Sequence, residues 1–266
     1  MPIISDEQWW QYHQQGYLRL GKLVNDEELE GLRRRIDDIM LGKVPFDGYM
    51  QLDRGGEYSN LHEGGKFSGA TLEYRKIQDL ERDPLYLSYM QKPIFREICD
   101  YHYGAHANIS VFRAMFMNKP ARKGTILPWH QDGGTGWDLD RDPLATLWLA
   151  LDPATVANGC VEIIPGSHKL GLLSERGHTI SKEHEAQYCT PGKSVFLELK
   201  PGECVLMHNL LLHRSGVNNT DIPRRGFSVC YMDARTTELK TGKKFPVIFG
   251  KGALKPEMFE AATAQA

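Results

Sequence analysis

Between Asn108 and Asp233 the chain breaks into short runs rich in Val, Ile, Leu, Phe and Tyr, at 108–118, 145–151, 160–164, 194–199, 203–207 and 226–233, separated by Pro and Gly punctuation. Apolar runs this short, bounded by turn residues, read as strands rather than helices. A close succession of short strands restricts a chain to antiparallel sheets that close into a barrel or a double-sheet jelly roll. What precedes them is helical. Ser5 is a candidate N-cap with Gln8 three residues on, ahead of Trp9, Trp10 and Tyr12 and a stop at Gly16. Leu29, Leu32, Ile36, Ile39 and Met40 recur at helical spacing behind Asn25 or Asp26, with Gly42 as the stop. The Arg33-Arg34-Arg35 run reads as the solvated side of that helix. Residues 17–20 and 72–80 have strand character, with Lys76 placing a long cation toward the interior in the second, and 84–103 is helical with a fresh start at Pro93. Helices first and strands afterwards predict a mainly β protein with flanking helices, a double-stranded β-helix (jelly roll, cupin-like) with the helices on one side.

At 266 residues the chain can bury a full core as one domain. Its expected division is a helical N-terminal part at about 1–105, a jelly-roll core at about 106–235 and a C-terminal extension at 236–266. A formal net charge of −2, with both signs interspersed and no polybasic run, argues for a small-molecule partner and against nucleic acid or an anionic membrane. No secretory signal pattern and no apolar run of spanning length occurs, which predicts a cytoplasmic protein. The five cysteines, Cys99, Cys160, Cys189, Cys204 and Cys230, are odd in number and lack a Cys-x-x-Cys spacing, so buried reduced thiols are expected.

The chemistry concentrates in Pro128-Trp129-His130-Gln131-Asp132-Gly133-Gly134. Residues two apart in an extended chain share a face, so His130 and Asp132 can present an imidazole and a carboxylate to one point. A histidine from a distant strand would complete a 2-His-1-carboxylate set, the arrangement of non-haem Fe(II) oxygenases. His213 and His208 compete for that place. Five residues apart in a strand they lie on opposite faces, and spacing does not choose between them. Arg224 follows at the start of the last strand. A triad of this kind cannot supply two electrons, whereas a 2-oxo acid can, and its far carboxylate would suit the planar bidentate recognition of a guanidinium. Arg225, on the other face, is expected to be solvated. Asp132 fills the position that a halide would need, which argues against halogenation.

Taken with Lys76-Ile77-Gln78-Asp79, Met115-Phe116-Met117-Asn118-Lys119-Pro120, Trp148, Asn158-Gly159-Cys160, Pro165-Gly166-Ser167-His168-Lys169, Pro201-Gly202-Glu203, His213-Arg214-Ser215 and Pro223-Arg224-Arg225, the chain resembles the phytanoyl-CoA dioxygenase family of 2-oxoglutarate-dependent oxygenases. The resemblance runs in order from about Gln8 to Asp233. It implies Fe(II) held by His130, Asp132 and His213, which chooses His213 over His208. It further implies 2-oxoglutarate held at its distal carboxylate by Arg224 and Ser215, with Lys76, Met115 and Trp148 lining the cosubstrate pocket and O2 as the oxidant. Within such proteins the Pro165-Gly166-Ser167-His168 stretch is a structural turn, and Asn158-Gly159 reads as hairpin chemistry.

Two stretches match nothing in that pattern, the loop at 46–69 and the insert at 170–188. The first is punctuated by glycines and rich in Tyr, His and charge, as expected of a lid that closes over the metal. Arg54, Lys66 and Arg113 are its candidate partners for an anionic substrate group. Two other functions use the same ligands: a metal-dependent hydrolase, which lacks a Glu beside either histidine to act as base, and a jelly-roll sensing module without turnover.

Overall fold

The computed structural model describes residues 2–55, 64–174 and 179–260. In order the chain forms α1 (Asp6–Gln15), β1 (Tyr17–Lys22), α2 (Asp26–Met40), β2 (Met50–Leu52), β3 (Tyr74–Ile77), α3 (Pro84–Met90), α4 (Pro93–Tyr103), β4 (Ile109–Lys119), β5 (Leu127–His130), β6 (Ala145–Ala150) and β7 (Val161–Ile163). It continues through α5 (Lys182–Tyr188), β8 (Val195–Leu197), β9 (Glu203–His208), β10 (His213–Ser215), β11 (Arg224–Asp233), β12 (Val247–Phe249) and α6 (Glu257–Glu260). The strands build two antiparallel sheets, one of order β1-β9-β6-β11-β4-β3-β2 with β12 paired to β4, the other of order β5-β10-β7-β8. This is the double-stranded β-helix that the strand spacing predicts.

The two faces of the large sheet follow from the two-residue period of a strand. Leu147 and Leu149 of β6 and Phe227, Val229 and Tyr231 of β11 pack with Leu32, Ile36, Tyr86 and Phe95 of the helices. The residues between them turn the other way: Trp148 and Ala150 join Val205 and Met207 of β9 and Val161, Ile163 and Leu197 of the small sheet in an inner core. The helices cover one face because their apolar residues form one stripe. Capping fixes where they begin. Ser5 and Gln8 exchange both bonds of a capping box at α1, and the Asn25 side chain accepts from the Glu28 N–H at 2.8 Å at α2.

Several expectations are corrected. The Arg33-Arg34-Arg35 run is not a solvated face: Arg33 donates to the Leu151 carbonyl at 2.7 Å and Arg35 to Asp83 at 2.5 Å, so α2 is tied to the sheet and to α3, and only Arg34 is exposed. Nor is Arg225 solvated, since it bonds Asp152 at 2.7 and 3.0 Å and Asp37 at 2.6 Å. Residues 46–69 hold β2, which pairs with β3, and a bridge between Met50 and Gly65; the centre of the expected lid, 56–63, lies outside the described residues, as do His62, His178 and 175–178 of the insert. The stretch at 84–103 is helical with the expected fresh start, Pro93 opening a second helix after Gln91 and Lys92. Strand character at 72–80 shrinks to 74–77, followed by a 3-10 turn. Asn158-Gly159 closes a 3-10 turn rather than a hairpin, the Asn158 side chain donating to the Pro153 carbonyl at 2.7 Å. All five cysteines are free thiols, with Cys189 only half-buried.

Candidate active site

His130 ends β5 and His213 begins β10, and the register sets the two residues directly opposite each other. Their rings lie 3.9 Å apart between centroids, and the His213 Nε2 is 3.8 Å from the Asp132 carboxylate. One donor atom from each of His130, Asp132 and His213 lies within 4.8 Å of the others. Each imidazole is oriented the same way: Nδ1 of His130 sits 2.9 Å from the Pro128 carbonyl and Nδ1 of His213 sits 2.9 Å from the Leu211 carbonyl. A carbonyl can only accept, so Nδ1 carries the proton and Nε2 keeps the lone pair a metal requires. Burial, and then the charge of His213, push the pKa of His130 well down, which keeps that ring neutral.

Asp132 is positioned from behind. Its N–H donates to the Asn209 carbonyl at 2.8 Å, and the Asn209 side chain accepts from Thr146 at 3.0 Å. The chain then turns away through Gly134, whose φ of +88° favours glycine and whose N–H donates to Asp142 at 2.8 Å. Between the cavity-facing side chains of His130 and Asp132, fully buried Gln131 points outward, donating to the Gly171 and Leu210 carbonyls at 2.8 Å and accepting from the Leu173 N–H at 2.7 Å. On the β10 side, Ser167 accepts from the Leu212 N–H at 2.8 Å, which makes the Pro165-Gly166-Ser167-His168 turn a support for His213. Nothing in the spacing of Gln131, Asn209 or Ser167 marks these roles; each depends on contacts between distant segments.

The same cavity is lined by Lys76, Met115, Trp148, Ser215 and Arg224, beside the triad. Counted with its open mouth, the space among these residues is about 690 Å³. Arg224 and Arg225 are neighbours on β11 and therefore face opposite sides, Arg225 toward α2 and Arg224 inward. The Arg224 guanidinium lies 5.3 Å from the Trp148 ring, is 3% exposed, and its Nε has no hydrogen-bond partner among the described residues. Burial lowers its pKa to about 10, so it stays charged. Trp148 can lie across β11 only because residue 226 is glycine, since a Cβ there would come within 2.4 Å of the indole. Burial, then Arg113 and Arg75, bring the Lys76 pKa down to about 7. His208 is elsewhere: its ring packs 5.1 Å from His168 and its Nδ1 accepts from the Leu210 N–H at 3.1 Å.

Two imidazoles that each present Nε2, with one carboxylate, are a donor set suited to Fe(II), and a buried guanidinium with an unpartnered donor suits the far carboxylate of 2-oxoglutarate. Fold and site together define a non-haem iron dioxygenase of the 2-oxoglutarate-dependent class. The family model for phytanoyl-CoA dioxygenase matches residues 12–226, and the chain belongs to that family. It is 31% identical over 241 residues to a Caenorhabditis elegans protein named "Probable phytanoyl-CoA dioxygenase", covering 86% of this chain and 75% of that one. Among solved structures it is similar to EctD from S. alaskensis with 2-oxoglutarate and 5-hydroxyectoine, at a TM-score of 0.71 and 19% identity over 96% of this chain and 86% of that one. It is also similar to the 2-oxoglutarate-dependent carbocyclase SnoK, at a TM-score of 0.65 and 20% identity over 88% and 86% of the two chains. At these identities the structural likeness speaks for the fold. No helix among the described residues is long and apolar enough to cross a membrane.

Proposed function

We propose that the protein hydroxylates an unactivated C–H bond of a small molecule, consuming O2 and 2-oxoglutarate and releasing succinate and carbon dioxide, with residues 1–266 acting as one oxygenase domain. The observation that carries this reading is the convergence, in one cavity, of three donor atoms within 4.8 Å and a buried arginine whose Nε is unpartnered. His130, Asp132 and His213 would hold Fe(II), which together with O2 supplies the oxidising power that the side chains lack. Arg224 and Ser215 would take the distal carboxylate of 2-oxoglutarate. A guanidinium in a dry pocket makes a stronger and more directional contact than one in water, because desolvation has already been met in folding. Trp148 and Met115, both buried, would exclude water from the cosubstrate. Lys76, with its lowered pKa, would present its Nζ to the same compartment without a fixed charge.

Purified protein loaded with Fe(II) is expected to release succinate slowly from 2-oxoglutarate in air and faster when a true substrate is added. Succinate should be absent without metal. A metal-bound protein that never decarboxylates 2-oxoglutarate, yet hydrolyses an ester or amide, would instead favour a hydrolase.

A further inference from the structure

The cavity carries more positive charge than iron and 2-oxoglutarate use. Arg75, Arg113, Arg214 and Arg224 line it, beside a Lys76 whose lowered pKa leaves it without a fixed charge, against Asp132 as the carboxylate among the described lining residues. Most of these cations are already engaged. Arg214 bonds Glu162 at 2.6 Å, Arg75 donates to Gln51 at 3.1 Å, and Arg224 faces the cosubstrate end. Arg113 differs. Among the described residues it makes ring contacts and neither a hydrogen bond nor an ion pair, its guanidinium lying 4.6 Å from the Phe112 ring and 4.8 Å from the Trp137 ring.

Its direction is set by an irregularity in β4. Ile109 and Val111 belong to the helix-facing core, and an unbroken strand would send residue 113 the same way. The pairing with β11 instead skips Phe112: Tyr231 faces Val111 and Cys230 faces Arg113. After that extra residue it is Ala114 and Phe116 that join the helix-facing core, while Arg113, Met115 and Met117 line the cavity. Such a bulge is a recurrent means of re-aiming a side chain beside a site. Phe112 and Trp137 stack at 4.8 Å, and Trp137 belongs to the turn just after Asp132, so the seat of the guanidinium is built from the metal loop itself. Ring contacts of this kind use none of the N–H donors of an arginine, which stay available for planar, bidentate recognition of a carboxylate.

We propose that Arg113 selects the substrate by binding a carboxylate carried on the molecule to be oxidised. This rests on the oxygenase reading of the same cavity, and it makes the substrate a small carboxylic acid rather than a neutral compound. The bound acid would be fixed at one end by Arg113, leaving its carbon chain to extend past Met115 and Thr146 toward the triad.

Binding can be measured under argon, with Fe(II) and saturating 2-oxoglutarate present so that Arg224 is covered and nothing turns over. Hexanoate and benzoate would be titrated against hexanamide and benzamide, with methyl phosphate as a second anion, following Trp fluorescence and calorimetry. Each carboxylate should bind about ten- to a hundredfold more tightly than its matched amide, the range expected of a charge-assisted contact. Arg113→Gln should remove that preference and Arg113→Lys should retain part of it. Equal binding of acid and amide to the wild-type protein overturns the proposal, whether or not the variants fold. Tighter binding of methyl phosphate than of either acid overturns the carboxylate assignment. Succinate release by the wild-type protein in air tests the oxygenase reading separately: its absence would sink that reading, while the acid–amide comparison stands on its own.

Discussion

Arg224 and Arg225 are one residue apart on β11, and exchanging each for alanine should have opposite consequences. Among the described residues Arg224 is buried with an unpartnered Nε and no carboxylate bonded to it, so on the proposed function Arg224→Ala removes a desolvated charge whose stabilising partner would be the cosubstrate. Without 2-oxoglutarate its unfolding free energy should match or exceed that of the wild type. With 2-oxoglutarate the loss of a buried charge-assisted contact costs on the order of 2–5 kcal/mol, or roughly thirty- to several-thousand-fold in affinity. Arg225 instead bonds Asp152 and Asp37, and the Asp152 side chain is 9% exposed. Arg225→Ala leaves that carboxylate with Arg33 at 3.6 Å and with the backbone N–H of residue 225 at 3.1 Å, and should lower stability by about 1–3 kcal/mol while leaving 2-oxoglutarate affinity in the folded protein close to wild type. Urea unfolding with and without 2-oxoglutarate reads both effects at once, because a ligand that binds only the native state raises stability in proportion to the logarithm of its saturation. The reasoning would be refuted by an Arg224→Ala protein that still gains stability from 2-oxoglutarate as the wild type does, or by an Arg225→Ala protein that alone loses the gain.

His130→Ala, Asp132→Ala and His213→Ala should each lose bound Fe(II) as measured by metal analysis, whereas His208→Ala, whose ring packs on His168, should keep it; metal-free His208→Ala would reverse the choice of ligand. Gly226→Ala should cost about 1–3 kcal/mol of stability and weaken 2-oxoglutarate binding, because the new Cβ would lie 2.4 Å from the Trp148 indole and the ring must swing off Arg224. Chemical denaturation and a 2-oxoglutarate titration check this, and an unperturbed protein would show that the indole has room. The pH dependence follows from His102 and His208, whose pKa values burial lowers to about 3 and about 4, with His208 and His13 adding to the first effect and His168 and His13 to the second. The native state then binds fewer protons than the unfolded chain, so this stability is present above about pH 6.5 and lost as pH falls toward 4, by roughly 1.4 kcal/mol per unit for each imidazole. His102→Gln should flatten the slope of stability against pH in that window, and an unchanged slope would refute the assignment.

Sequence patterning captured what depends on local periodicity. The strand runs, the caps at Ser5 and Asn25, and the opposed faces of Arg224 and Arg225 all follow from spacings of two or of three to four residues. It could not choose between His208 and His213, because that choice needs the register of β10 on β5. Parity counting also fails across β4. The skip at Phe112 reverses which residues look inward, and its only local trace is a pair of side chains, Phe112 and Arg113, that looks ordinary in a strand. Charges on α2 escape local pattern for a related reason. A run of arginines on a helix is usually wet, but here Arg33 and Arg35 meet acceptors on elements far along the chain, which no local pattern encodes.

Gln131 makes the triad strand two-sided. With His130 and Asp132 directed at the cavity, the amide between them grips the backbone of residues 171 and 173, the first stretch of a segment with no counterpart in the shared motif. The gripped groups are a main-chain carbonyl and a main-chain N–H, so the clasp is indifferent to the side chains of the segment it holds. Replacement segments could therefore be grafted after Gly171 without disturbing the triad strand, provided their backbone still meets that amide and returns to the Trp129 carbonyl as the Ile180 N–H does at 3.2 Å. The fold in this way separates what must stay constant from what is open to exchange, with Gln131 as one joint and the bridge of Thr179 to His130 as the other.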